Sequence, residues 1–112
     1  MARYLISFDD GSMVFPEEDL PAIAEAARSV VREAKAAGAW IFGGGLLTQQ
    51  ASVVAIDGSV SDGPYPETKA VIGGFSILEV RSRDEALMWA AKLASACRCA
   101  QEVREIMYDP ES

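Results

Sequence analysis

Residues 3–8 alternate, with Tyr4, Ile6 and Phe8 set against Leu5 and Ser7, and a two-residue period is that of an extended strand. Asp9-Asp10-Gly11-Ser12 then supplies a turn. The pattern changes at Leu20. Leu20, Ile23, Ala24, Ala27, Val30, Val31 and Ala34 fall on one helical face, with Glu25, Arg28, Arg32 and Lys35 outside it, which predicts an amphipathic helix ended by Gly38. Glu17, Glu18 and Asp19 precede this helix, where carboxylates complement its positive end, and Pro21 is tolerated because it lies in the first turn.

Residues 39–42 read as a second strand running into Gly43-Gly44-Gly45, and residues 52–56 as a third, followed by Asp57-Gly58. The short Thr48-Gln49-Gln50-Ala51 link predicts that these two strands form a hairpin. Residues 61–69 are rich in Gly and Pro and read as a shaped loop. A fourth strand over 71–80 is interrupted early by Gly73-Gly74. Ser82-Arg83-Asp84-Glu85 is a capping box that opens a second helix through about residue 96, and residues 102–108 supply the last strand. The order predicts one α+β domain over residues 1–112, a split βαβ plan whose antiparallel sheet carries two helices on one face.

Two helices cover only one face of such a sheet, yet its strands are apolar on both. Val53 and Ala55 oppose Val54 and Ile56, and Phe75 and Ile77 oppose Leu78 and Val80. An uncovered apolar face would be a larger patch than monomers normally expose, so a second copy is expected to lie against it in a two-fold homodimer through the sheet faces.

Charge narrows the partners. The net charge of −7 and pI near 4.5 argue against nucleic acid and against anionic membranes, because both require a concentrated basic face. Arg28, Arg32 and Lys35 read as a solvated helical face. No apolar run reaches the length of a membrane span and residues 1–8 do not have the build of a signal peptide, so a cytoplasmic location is expected. Cys97 and Cys99, with no histidine in the chain, fall short of a zinc set and read as small half-buried residues; neither a metal nor a cofactor is expected. Gly43-Gly44-Gly45 lacks the spacing of a phosphate loop and reads as a bulge or close backbone approach. Asp9 and Asp10 fit a turn better than a metal site, and Trp40 and Trp89 fit packing better than stacking.

Asp62-Gly63-Pro64-Tyr65-Pro66-Glu67-Thr68-Lys69, followed by Gly73-Gly74-Phe75, resembles the signature of the YCII-related proteins, specifically their DGPF subgroup. The first strand, the Gly44-Gly45-Leu46 step, the Asp84-Glu85-Ala86 helix start with Trp89-Ala90, and Glu102-Val103-Arg104 are similar to that family as well. The resemblance implies a ferredoxin-like fold of the dimeric α/β-barrel group, with a cleft between sheet and loops. Some relatives are proposed to use a His-Asp pair, and a few act on chlorinated aromatic compounds. This chain has no histidine, so that pair does not carry over.

The candidate pocket residues are Asp62, Tyr65, Glu67 and Lys69 on the loop, with Arg3 on the first strand and Arg104 near the last. Loops held by rigid sheets commonly carry sites. Glu67 and Lys69, two residues apart, point the same way in an extended stretch and suit either a ligand clamp or an internal ion pair. Two functions follow as expectations. The first is a dimeric binding protein for an unknown small molecule, with a regulatory role as one form of it. The alternative is a lyase- or isomerase-like enzyme acting on a small polar or aromatic acid, with Glu67 or Asp62 as base and Lys69 or Arg104 steadying negative charge; no catalytic residue is assigned.

Overall fold

The computed structural model describes residues 1–47, 51–63 and 72–112. The chain runs through β1 (Ala2–Asp9), a 3-10 turn (Glu17–Asp19), α1 (Leu20–Ala36), β2 (Trp40–Gly45), β3 (Ala51–Val54), β4 (Val60–Gly63), β5 (Ile72–Val80), α2 (Arg83–Cys97) and β6 (Glu102–Glu105). β2, β5, β1 and β6 form one sheet in that order, and every neighbouring pair is antiparallel. β5 thus inserts between β1 and β2, which is the split βαβ arrangement of a ferredoxin-like α+β fold.

The helices lie together on one face. Tyr4 and Ile6 of β1 and Leu78 and Val80 of β5 are buried against Val30 and Ala34 of α1 and Ala86, Trp89, Ala90 and Leu93 of α2. Fully burying one such aliphatic side chain is worth about 1.5 to 3 kcal/mol, so this layer accounts for most of what holds the fold. α2 starts as its sequence requires: the Ser82 hydroxyl accepts the Glu85 amide at 3.2 Å. The Glu85 carboxylate returns to the Arg81 amide at 3.0 Å, one residue before the usual partner. At the other end Arg98 takes the left-handed conformation, φ 57°, that a helix C-terminus normally reserves for Gly or Asn.

Four sequence expectations need correction. The expected hairpin of the second and third strands does not form; β3 pairs with β4 in a separate two-stranded ribbon. The reason is the Asp57-Gly58 turn. The Asp57 carboxylate accepts the Ser59 amide at 2.9 Å, Gly58 has φ 87°, and Ala55 and Ser59 close the loop by a backbone bond of 2.8 Å. That local closure outcompetes pairing with β2, whose residues Gly43–Gly45 are already matched to Ser76, Phe75 and Gly74. Residues 61–63, expected to be loop, are therefore the second strand of the ribbon. Val53, Val54, Ile56 and Val60 stand exposed there and do not contribute to either face of the main sheet.

Gly73 and Gly74 do not break β5 either. They seat the Phe8 ring: a Cβ at Gly73 or Gly74 would lie 2.8 or 2.7 Å from its carbons. The last strand stops at Glu105 rather than at residue 108, since Ile106 makes the final backbone bond to Arg3 and β1 offers little beyond.

Candidate functional site

The sheet's alternation sorts the candidate residues. On β5, Gly74, Ser76, Leu78 and Val80 are buried beneath the helices, so Phe75, Ile77 and Glu79 face the opposite, uncovered side. Their register partners Ser7, Leu5 and Arg3 share that side, as do Phe42 opposite Ile77 and Arg104 opposite Leu5. Phe42 and Phe75 lie with ring centroids 6.0 Å apart, and Phe42 remains 62% exposed. Ion pairs border this apolar centre: Arg3 with Glu79 at 3.7 Å and Arg104 with Glu102 at 2.6 Å.

On the covered side the packing is incomplete. A cavity of about 350 Å³ opens between the sheet and α1. Its sheet wall is Ile6, Phe8, Trp40, Gly44, Gly45 and Ser76; its helix wall is Leu20, Ile23, Ala24, Ala27 and Val31 of α1 and Leu93 and Cys97 of α2. The gap follows from the sequence. Gly45, paired with helix-side Gly74, presents no side chain to the cavity, and a Cβ added there would meet no atom within 4 Å. Ala24 and Ala27 of α1 add little volume to the helix wall. Small groups leave space that neighbouring large side chains do not collapse into. Gly43 is different: its Cβ would lie 2.5 Å from the Phe75 carbonyl, so glycine is required there for the close approach of β2 to β5.

The cavity lining is almost wholly apolar, its polar groups being Ser76, Gln101 and the Cys97 thiol. Burial, reinforced by the neighbouring Cys99 sulfur, raises the Cys97 pKa, so this thiol stays protonated and is a poor nucleophile at neutral pH. Among the described residues, none with a charged side chain lines the cavity. Across one end, Asp19 and Arg98 pair at 2.8 Å, joining the residue before Leu20 to the residue after Cys97.

The sequence-derived candidates fall in different places. Arg3 and Arg104 share the open face. Asp62 lies on the ribbon, where its carboxylate accepts the Ser52 hydroxyl at 2.8 Å. None of these three lines the cavity, and Tyr65, Glu67 and Lys69 lie outside the described residues. Among the described residues no cluster of three or more His, Cys, Asp or Glu side chains could hold a metal ion, and no helix is long and apolar enough to cross a membrane. The cavity itself was missed because its walls are ordinary core residues. The available signal was Ser76, a lone hydroxyl within Phe75-Ser76-Ile77-Leu78, together with three consecutive glycines in a facing strand.

The YCII-related domain profile matches residues 3–108. No curated protein matches the chain. Among solved structures, the chain is similar to 5-chloro-2-hydroxyhydroquinone dehydrochlorinase from Burkholderia phenoliruptrix in complex with 2,5-dihydroxybenzoquinone, at 16% identity and a TM-score of 0.53, covering 97% of each chain. At that identity the likeness is one of fold, and it agrees with the ferredoxin-like α+β architecture expected from the sequence.

Proposed function

The chain belongs to the YCII-related domain family, and from that premise we propose that it is a homodimeric cytoplasmic protein that binds a small, largely apolar molecule between α1 and its sheet. Its Asp62-Gly63-Pro64 stretch supports placing it in the DGPF subgroup, as a single domain. The observation that carries the binding role is the cavity: about 350 Å³, between the sheet and its helices, with a lining that is mostly apolar. Ligand pockets typically run from about 300 to 1,000 Å³, and an apolar void less than half the volume of this one is known to take up benzene. The solved neighbour was captured with a six-membered ring compound, a ligand of a size this cavity holds.

Dimerisation is supported by the open face. Leu5, Phe42, Phe75 and Ile77 form an apolar centre bordered by Arg3, Glu79, Glu102 and Arg104, and a two-fold copy would meet it with both signs of charge available. The fold neighbour's activity on a small aromatic compound favours one alternative, an enzyme with Glu67 or Asp62 as base and Lys69 or Arg104 on developing charge. Binding is preferred because, among the described residues, no carboxylate, lysine or arginine lines the cavity and its thiol is held protonated.

The test is ligand-induced stabilisation. Toluene and phenol at millimolar concentration are expected to raise the Tm of the wild-type protein, and Ala27→Phe, which fills the cavity, to abolish the shift while the circular dichroism stays native. No shift with either compound would refute the reading, and turnover of a bound ring compound would replace it with the enzymatic one.

A further inference from the structure

Ser76 is the one strongly buried polar side chain in the cavity wall, 5% exposed, at the middle of β5 between Ile6 on β1 and Gly43 on β2. Strand alternation turns it to the helix side, with Leu78 and Val80. Its hydroxyl makes no hydrogen bond to any described residue. The hydroxyl is not sealed from water, since the one enclosed side-chain polar atom without a partner among the described residues is Trp89 Nε1; solvent reaches Ser76 through the cavity. The space that Ser76 faces is the cavity, so a guest there displaces the solvent its hydroxyl meets and must offer a hydrogen-bond partner in its place.

Gln101 adds a second polar group. Its side-chain amide donates to the Cys99 sulfur at 3.5 Å, which leaves the amide oxygen as an acceptor at the cavity wall. The rest of the lining is hydrocarbon and aromatic, with Phe8 and Trp40 supplying ring surface. An ionised carboxylate entering such a space would lose its hydration with no cation among the described lining residues to meet it, at a cost far above that of a neutral group.

We propose that Ser76 is the recognition group of this cavity, selecting neutral ring compounds that carry a hydroxyl or carbonyl and rejecting their carboxylate counterparts. This rests on the binding role proposed above and specifies its ligand class. The serine hydroxyl can donate to a ligand carbonyl or accept from a ligand hydroxyl, so phenols and quinone-like ketones both satisfy it. A bare hydrocarbon fills the space and leaves the serine unpaired.

The experiment measures Kd for phenol, toluene and benzoate at pH 7 with the full chain, wild type and Ser76→Ala, by ligand-observed NMR titration. The ratio of the phenol to the toluene Kd is expected to rise on the order of tenfold in Ser76→Ala, the loss expected when a bound hydroxyl is left without its partner. Benzoate is expected to bind neither protein. The ligand-free Tm of Ser76→Ala should stay close to that of wild type, because the hydroxyl bonds to no described residue. An unchanged ratio, tight benzoate binding, or a Tm lowered by several degrees would overturn the assignment, the last by giving Ser76 a role in folding. If toluene binds and the ratio is unchanged, the cavity reading stands without this inference. If neither phenol nor toluene binds wild type, both fall together.

Discussion

The two faces of the four-stranded sheet are built from the same strands and end in opposite states. On one, Tyr4, Ile6, Leu78 and Val80 are buried under two helices; on the other, Leu5, Phe75 and Ile77 are only partly covered and Phe42 is mostly exposed. The covered face is hollow toward α1, where Gly45, Ala24 and Ala27 line the gap. Stability and function are therefore separated across one layer: dense packing fixes the architecture, while the vacant part and the bare side are free to serve a ligand and a second subunit.

The largest effect expected from breaking this contrast is on the covered face. Leu78→Ala removes a side chain with no solvent exposure and should destabilise the chain by about 2 to 5 kcal/mol in urea unfolding. Phe42→Glu on the open face should leave the far-ultraviolet dichroism unchanged but halve the mass seen by light scattering, because a charge placed at the centre of the interface disfavours pairing. A mass equal to one chain in the wild type would remove the dimer altogether. Ser82→Ala, at the start of α2, should cost about 1 kcal/mol and leave the mass untouched, marking it as a property of the helix layer alone.

The smallest effect is a matter of pH. Burial, together with the bond to Glu105 at 3.0 Å and that carboxylate's charge, raises the Tyr4 pKa above 10.0. The neutral phenol is then favoured by folding, so its contribution is fully present below pH 10.0 and is lost as pH rises through the folded-state pKa. Phenolate absorbance, compared with Tyr4→Phe, should isolate this late step; ionisation of Tyr4 at or below pH 10.0 would show that the covered face is wetter than its packing indicates.

The periodic signals in the sequence led directly to β1, α1, β5 and α2, because each is long enough for its period to be unambiguous. The partner of β3 was harder to read. A four-residue link between residues 47 and 52 suggested pairing with β2, and only the competing Asp57-Gly58 turn, with the short run Val60-Ser61-Asp62, favoured the ribbon. Arg3 and Arg104 were singled out for their charge, and register brings them to one face, a relation between residues 101 positions apart that no local pattern encodes. The cavity had no distinctive letters. It is made by what Gly45, Ala24 and Ala27 lack, and a deficit of volume becomes visible only when helix and strand are placed opposite each other.

The two indoles divide along the same line. Trp89 is sealed in the core with the Lys92 ammonium 5.3 Å from its ring centre, while Trp40 borders the cavity. Guests that enter the vacancy touch one indole and leave the other alone, so the protein carries its own optical reporter of occupancy, with an internal reference in the same chain.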